Sequence, residues 1–310
     1  MRYRPFGRSG TVVSAVSLAL GDAAAERGAN HVRELVWAAL EDGINSYHLT
    51  GSHPALPAMV GEALSSVERR LVFVSMRLGV VRGPQGIARD FSPEAMTAAV
   101  DHVITSSGLE HVDLAVLDNP STEEFPTRAL SALKALRAVG KVRLLGVAGD
   151  NDAMDAYVST NAFDVLSTPY HLRSGWKERN RLKAAVELDM GVVAYGWFPD
   201  SLSTARKVEA LTAAAQPVRR GLFGGARPAA TVQADPLAGV GGYAFLHQTK
   251  NWTAEEICLA YALTETAVAS VMVEATDADR LRKLAAVPER DLPPGLAAQI
   301  EMARFSPEPG

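Results

Sequence analysis

Short apolar runs, many of them β-branched, recur along the chain at residues 16–20, 44–47, 71–76, 112–117, 142–147, 165–167, 192–195 and 270–273. Most are continuous rather than alternating, as parallel strands covered on both faces should be. Between them lie segments of helical periodicity at 31–40, 57–64, 93–105, 123–138, 152–159, 178–188 and 254–263. Repeated strand–helix units predict a parallel α/β fold. Eight strands favour a closed (β/α)8 TIM barrel over an open sheet. Local punctuation agrees with these boundaries. Ser92-Pro93-Glu94 reads as an N-cap followed by proline at the first helical position. Thr253-Ala254-Glu255-Glu256 reads as a capping box, and Gly140 closes a helix before the next strand. The alternation lapses between Gly196 and Gly242, apart from a possible helix at 203–215, so a long loop is expected after strand seven. In a barrel such a loop lies over the functional mouth. One more short helix is expected at 294–303. No domain boundary interrupts residues 1–310, which read as a single barrel domain.

Composition narrows the partners. The 310 residues carry a net charge of −4 and no basic face, which argues against nucleic acid. No apolar stretch approaches the roughly 18 residues of a membrane span, and the N-terminus lacks the apolar core of a signal peptide. A cytoplasmic location is therefore expected. The single cysteine, Cys258, rules out an internal disulfide and reads as a buried small hydrophobe in an apolar helix.

A family pattern runs through these elements in order. It includes the opening Met1-Arg2-Tyr3-Arg4-Pro5-Phe6-Gly7-Arg8-Ser9-Gly10 with Val13-Ser14, then Gly43-Ile44-Asn45 and Asp90-Phe91-Ser92-Pro93-Glu94. Val112-Asp113-Leu114, Gly140-Lys141-Val142-Arg143, Gly146-Val147, Ala194-Tyr195 and the stretch from Val271 to Leu281 follow. Together they resemble the aldo-keto reductases over nearly the whole chain. The resemblance implies an N-terminal hairpin ahead of the barrel and a nicotinamide cofactor at the C-terminal ends of the strands.

Members of that family reduce carbonyls. A tyrosine protonates the developing alkoxide, a lysine held by an aspartate acidifies the tyrosine, and a histidine orients the carbonyl. Aligned by resemblance, the aspartate falls on His48, the tyrosine on or near His53, the lysine on Arg77 and the histidine on Asp118. None of the four is preserved. Arginine is no substitute for lysine here, because its guanidinium stays protonated and forks rather than acting as a point charge. Asp118 would set an anion beside a developing alkoxide, the wrong sign. A histidine can donate a proton near neutral pH, so His53 or His48 is the candidate replacement acid.

Some cofactor determinants are kept. Tyr195 matches the aromatic residue on which nicotinamide stacks, and Trp197 and Phe198 are candidate pocket walls. The carboxamide contacts are thinner, with Ala148-Gly149 after strand five and Ser167 on strand six, although Asp150 and Asn151 could cover part of the loss. After strand eight the run is Val273-Glu274-Ala275-Thr276-Asp277-Ala278-Asp279-Arg280. Glu274, Thr276, Asp277 and Arg280 are the candidate cofactor contacts. Acids there repel a 2′-phosphate and can accept from a free ribose 2′-hydroxyl, so NAD(H) is expected in preference to NADP(H). Asp277 and Asp279 also suit the first turn of a helix.

Three readings follow. The first is a non-catalytic barrel that binds NAD(H) and acts through protein contacts. The segment Gly242-Tyr243-Ala244-Phe245-Leu246 to Leu263 is similar in style to NAD(H)-binding cell-division regulators of alphaproteobacteria, whose partners are the FtsZ ring and a histidine-kinase pathway. The second is an NAD(P)H-dependent reductase with altered acid–base residues. The third is a non-redox acid–base activity using His48, His53, Arg77 and Asp118. A metal site is not expected from two histidines five residues apart. The other histidines are scattered, with only His171 expected near the mouth.

Overall fold

The computed structural model describes residues 1–83, 86–124, 127–199, 243, 246 and 249–304. The predicted helix at 203–215, most of the long loop after strand seven and His247 lie outside the described residues.

A hairpin opens the chain, β1 (Tyr3–Pro5) against β2 (Val12–Ser14). Eight parallel strands then close into a barrel: β3 (Val16–Leu20), β4 (Ser46–Leu49), β5 (Phe73–Leu78), β8 (Val112–Asp118), β9 (Val142–Ala148), β10 (Val165–Pro169), β11 (Gly191–Tyr195) and β12 (Ser270–Val273). The last strand pairs back onto the first through Val271↔Val16 and Val273↔Leu18. Helices α1 (Asp22–Glu26), α2 (Ala29–Glu41), α3 (Leu56–Leu64), α4 (Pro93–Ser107), α5 (Thr127–Ala138), α6 (Ala153–Ser159) and α7 (Trp176–Glu187) follow the strands in turn. They are completed by α8 (Ala254–Thr264), α9 (Ala278–Ala285) and a final α10 (Leu296–Arg304). This is the expected (β/α)8 barrel with its N-terminal hairpin.

Side chains alternate across each strand. Outward residues such as Tyr47, Leu49, Val74 and Met76 pack against the helices in one large apolar cluster. Inward residues form a smaller one, with Phe73, Leu114, Val116, Val165 and Val193 closed from below by Phe6 and Val13 of the hairpin region. Phe6 meets Phe73 edge to face at 5.4 Å.

Several boundaries differ from the sequence-based expectation, for identifiable reasons. The strand expected at 44–47 runs from Ser46 to Leu49. Asn45 is diverted to the hairpin, where its side chain accepts from the Ser14 amide at 2.8 Å and donates to the Val12 carbonyl at 3.0 Å. His48 therefore lies within the ladder rather than after it. The strand expected at 71–76 runs from Phe73 to Leu78 and so carries Arg77. The helix expected from 123 is described from Thr127, because Glu124 sits in a turn that binds Arg89 and the Ser121 amide. A hairpin of β6 (Val80–Gly83) and β7 (Gly86–Arg89) was not foreseen. Gly79 leads into it at φ +90°, and the Phe91 ring fills the place a β-carbon would need. The Ser92 cap, the Thr253 capping box and the positive-φ Gly140 stand as read. Cys258 is buried in α8, and burial pushes its thiol pKa up.

Phe6 closes the barrel from below, so its truncation leaves a hole that the strands cannot collapse around. Phe6→Ala should cost about 3–5 kcal/mol of unfolding free energy, read as a lower denaturant midpoint with an unchanged slope. A change below about 1 kcal/mol would mean that the hairpin does not seal the barrel.

Candidate functional site

At the C-terminal end of the barrel is a cavity of about 600 Å³. Its floor is built from inward strand positions: Ala19 of β3, His48 of β4, Ser75 of β5, Val116 of β8, Ser167 of β10 and Met272 of β12. Its walls are the next inward positions of β5 and β8, Arg77 and Asp118, and Tyr195 at the end of β11, together with Trp197 and Phe198 beyond it. Asp22, Glu274 and Arg280 reach it from the loops and helix at the rim.

The floor is polar and sealed. His48 is nearly inaccessible. Its Nδ1 contacts the Ser75 hydroxyl and its Nε2 lies 3.3 Å from that of Ser46. Burial pushes the His48 pKa down to about 4, so the ring is neutral at physiological pH. Ser167 has its hydroxyl unbonded to any described residue and faces the same space.

The wall charges neutralise each other. Arg77 Nε lies 3.2 Å from Asp118 Oδ1, and Arg77 Nη1 donates to the Thr50 carbonyl at 3.2 Å. Opposite them, burial raises the Tyr195 phenol pKa, and the anions Asp150 and Asp118 raise it further. That phenol holds its proton under all ordinary conditions.

The loops are tied together by Asp22. Its carboxylate accepts from the Ser52 amide at 2.6 Å, the His53 amide at 2.8 Å, the Ser52 hydroxyl at 3.1 Å and Arg82 Nη2 at 2.6 Å. Burial alone would raise the Asp22 pKa. The bonds from Arg82, His53 and Ser52 outweigh it and hold the carboxyl below its usual range. One acid thus joins the loops after β3 and β4 to the β6–β7 hairpin. Arg89 anchors the other side of that hairpin on Glu124 and on the carbonyls of Asp118 and Asn119. Neither Asp22 nor these arginines had been singled out from the sequence. No local pattern marks them, because their partners are 30 to 60 residues away.

The sequence-predicted residues are partly brought together. His48, Arg77, Asp118, Ser167, Tyr195, Glu274 and Arg280 share the cavity. His53 does not. It lines a neighbouring cavity, and its Nδ1 accepts from the Ala55 amide at 3.3 Å. Its peptide sits near the mouth but its ring is not over Tyr195's pocket. Thr276 and Asp277 also lie off the cavity, at the start of α9. Asp277 is the N-cap, accepting from the Arg280 amide at 2.9 Å and from the Thr276 hydroxyl at 2.8 Å. The first-turn role read from the sequence is therefore filled. Arg280 is paired with Glu255 of α8, and Arg282 with Glu41 and Asp279. His171 is not among the cavity residues. Among the described residues no three metal-ligating side chains gather, and no helix is long and apolar enough to cross a membrane.

A parallel (β/α)8 barrel with a polar cavity at its C-terminal mouth defines a broad class of ligand-binding and enzymatic proteins. The aldo/keto reductase family model matches residues 17–304, and the chain belongs to that family. Among solved structures, the holo form of aldo-keto reductase AKR11C1 from Bacillus halodurans is similar with a TM-score of 0.76 and 19% identity, covering 98% of this chain and 96% of that one. The apo form of the same enzyme gives a TM-score of 0.70 at 17% identity over the same shares. At such identities the likeness concerns the fold. No curated protein is matched by sequence.

Members of the family typically bind nicotinamide cofactors, and the residues here fit such a group. An aromatic wall at Tyr195 faces a floor with an open Ser167 hydroxyl, in a cavity of suitable size for a small-molecule site.

The depressed His48 pKa has a measurable consequence. An unfolded histidine protonates near about 6.5, whereas the folded ring stays neutral to about pH 4. Between those values the unfolded chain binds the extra proton, so stability falls as pH drops through the window. His48→Gln should remove about 3 kcal/mol of that decline, measured as the difference between two stability-versus-pH profiles. Identical slopes in both proteins would show that His48 is not sealed.

Proposed function

We propose that this chain is a catalytically silent member of its family that binds NAD(H) and regulates other proteins through surface contacts. The observation that carries the reading is the Arg77–Asp118 ion pair. The cation where the family resemblance places a catalytic lysine is held by the anion where it places a catalytic histidine. His48, where the resemblance places the aspartate, is neutral and bonded to serines. Tyr195 keeps its proton and His53 lies outside the cavity. No acid is left poised to protonate an alkoxide.

A bound nicotinamide dinucleotide would supply a hydride. This chain's own residues would bind and orient it. Tyr195 offers a ring to stack on, Ser167 a hydroxyl for the carboxamide, and Trp197 and Phe198 exclude water from one side. Preference for NAD(H) over NADP(H) rests on the rim. Glu274 lines it and the acidic N-cap Asp277 stands at the start of the next helix, while the cations Arg280 and Arg282 are already paired with Glu255, Glu41 and Asp279. A 2′-phosphate would meet net negative charge and would have to break an existing pair.

The protein partner follows the resemblance of the segment around Tyr243 and Leu246 to KidO-type regulators. It makes the FtsZ ring or a histidine kinase the first candidates for capture by the purified chain. The remaining readings, a reductase with altered acid–base residues or a non-redox activity in the same cavity, lack a positioned proton donor.

Calorimetry with NADH and NADPH, paired with a carbonyl panel monitored for NAD(P)H oxidation, tests the reading. NADH should bind more tightly than NADPH and no carbonyl should be turned over. Turnover that is lost in His48→Ala or His53→Ala would establish the reductase reading instead. Tyr195→Ala should weaken NADH binding by about tenfold through loss of the stacking surface. An unchanged affinity would place the nicotinamide elsewhere.

A further inference from the structure

Beside the barrel mouth lies a second cavity of about 380 Å³, between the β4–α3 loop, strand β6 and helix α4. It is within the size range of small-molecule sites. Pro57 of α3, Val80 and Val81 of β6, and Ala95, Ala98 and Ala99 of α4 make it predominantly apolar. Its charged side chains are of one sign. Arg77, Arg82, His53 and His102 line it, and among the described lining residues none is acidic.

Arg77 lines both cavities, whereas Arg82 lines this one and not the main cavity. Their carboxylate partners, Asp118 for Arg77 and Asp22 for Arg82, line the main cavity and not this one. Both guanidinium groups therefore line this chamber while their carboxylate partners line the other. A guanidinium has five N–H donors. Arg77 gives one hydrogen bond to the Thr50 carbonyl and Arg82 one to Asp22, so donors remain on both. His102 Nε2 donates to the Pro54 carbonyl at 3.0 Å, and its Nδ1 lies 3.2 Å from the Ser106 hydroxyl. His53 accepts at Nδ1 and so keeps Nε2 as a donor in its neutral form.

Spare guanidinium donors and no carboxylate, set in an apolar chamber, complement an amphipathic anion. We propose that this lateral cavity binds a small monocarboxylate with an apolar body. The carboxylate is held by Arg82 and Arg77 and the body packs against Val80, Val81 and Ala99. Charge-assisted pairing to a guanidinium that already has a carboxylate neighbour is geometrically feasible, because the fork presents donors along two edges. The proposal is independent of whether a dinucleotide occupies the main cavity.

Calorimetry and thermal melting with octanoate test it, with octanol as the uncharged control and NADH as the probe of the main cavity. Octanoate should bind saturably and raise Tm, and octanol should bind at least tenfold more weakly. Ala99→Trp fills the chamber from α4 and Val81→Trp fills it from β6. Each should abolish the octanoate response while the protein still melts cooperatively, and two variants from different walls guard against one that fails to fold. Arg82→Gln should weaken octanoate at least tenfold. The proposal is overturned if octanoate does not bind at millimolar concentration, if octanol binds equally well, or if a folded Ala99→Trp or Val81→Trp protein retains full affinity. Competition between octanoate and NADH together with retained binding in both tryptophan variants would assign the acid to the main cavity instead.

Discussion

A closed parallel barrel leaves a strand side chain two places to go, into the shell under the helices or into the barrel itself, and successive residues must alternate between them. Much of what is chemically notable in this chain follows from that alternation. Tyr47 and Leu49 pack outward, so Ser46 and His48 point in. Phe73 points in at the bottom of β5, so Ser75 and Arg77 follow it upward. Leu114 and Val116 do the same on β8 and leave Asp118 at the rim. The cross-strand register then brings His48 level with Ser75. The polar floor and the charged wall are consequences of strand parity as much as of residue choice.

The arginines around the mouth so formed are each set against an acid. Arg77 is set against Asp118, Arg82 against Asp22, Arg89 against Glu124 and Arg280 against Glu255. Exposed pairs of this type add little stability individually. Their effect here is positional, since Asp22 and Arg89 fasten three loops and the β6–β7 hairpin around one cavity. A mouth whose arginines are already paired suits a ligand held by shape, stacking and a few hydroxyls. The neighbouring chamber lined by Arg77 and Arg82 has no acidic residue among its described lining.

The amino-acid sequence by itself determined the number and order of the barrel strands, the parallel class of the sheet and the caps at Ser92 and Thr253. These rest on local periodicity and local hydrogen bonding, which neighbouring residues carry. The resemblance to the aldo-keto reductases, rather than periodicity, marked His48, Arg77, Asp118, Ser167 and Tyr195 as residues of one mouth. Only the tertiary structure decided how those residues meet. The start of β4 depended on Asn45 being taken up by the hairpin. The hairpin at 80–89 depended on Phe91 folding over Gly79. His53 fell into the lateral cavity because Asp22 holds its peptide, a contact across 31 residues of sequence. Asp277 became a helix cap and Arg77 the partner of Asp118 for the same reason: a charged group takes its role from whatever the fold places within about 4 Å of it, and no spacing along the chain records that distance.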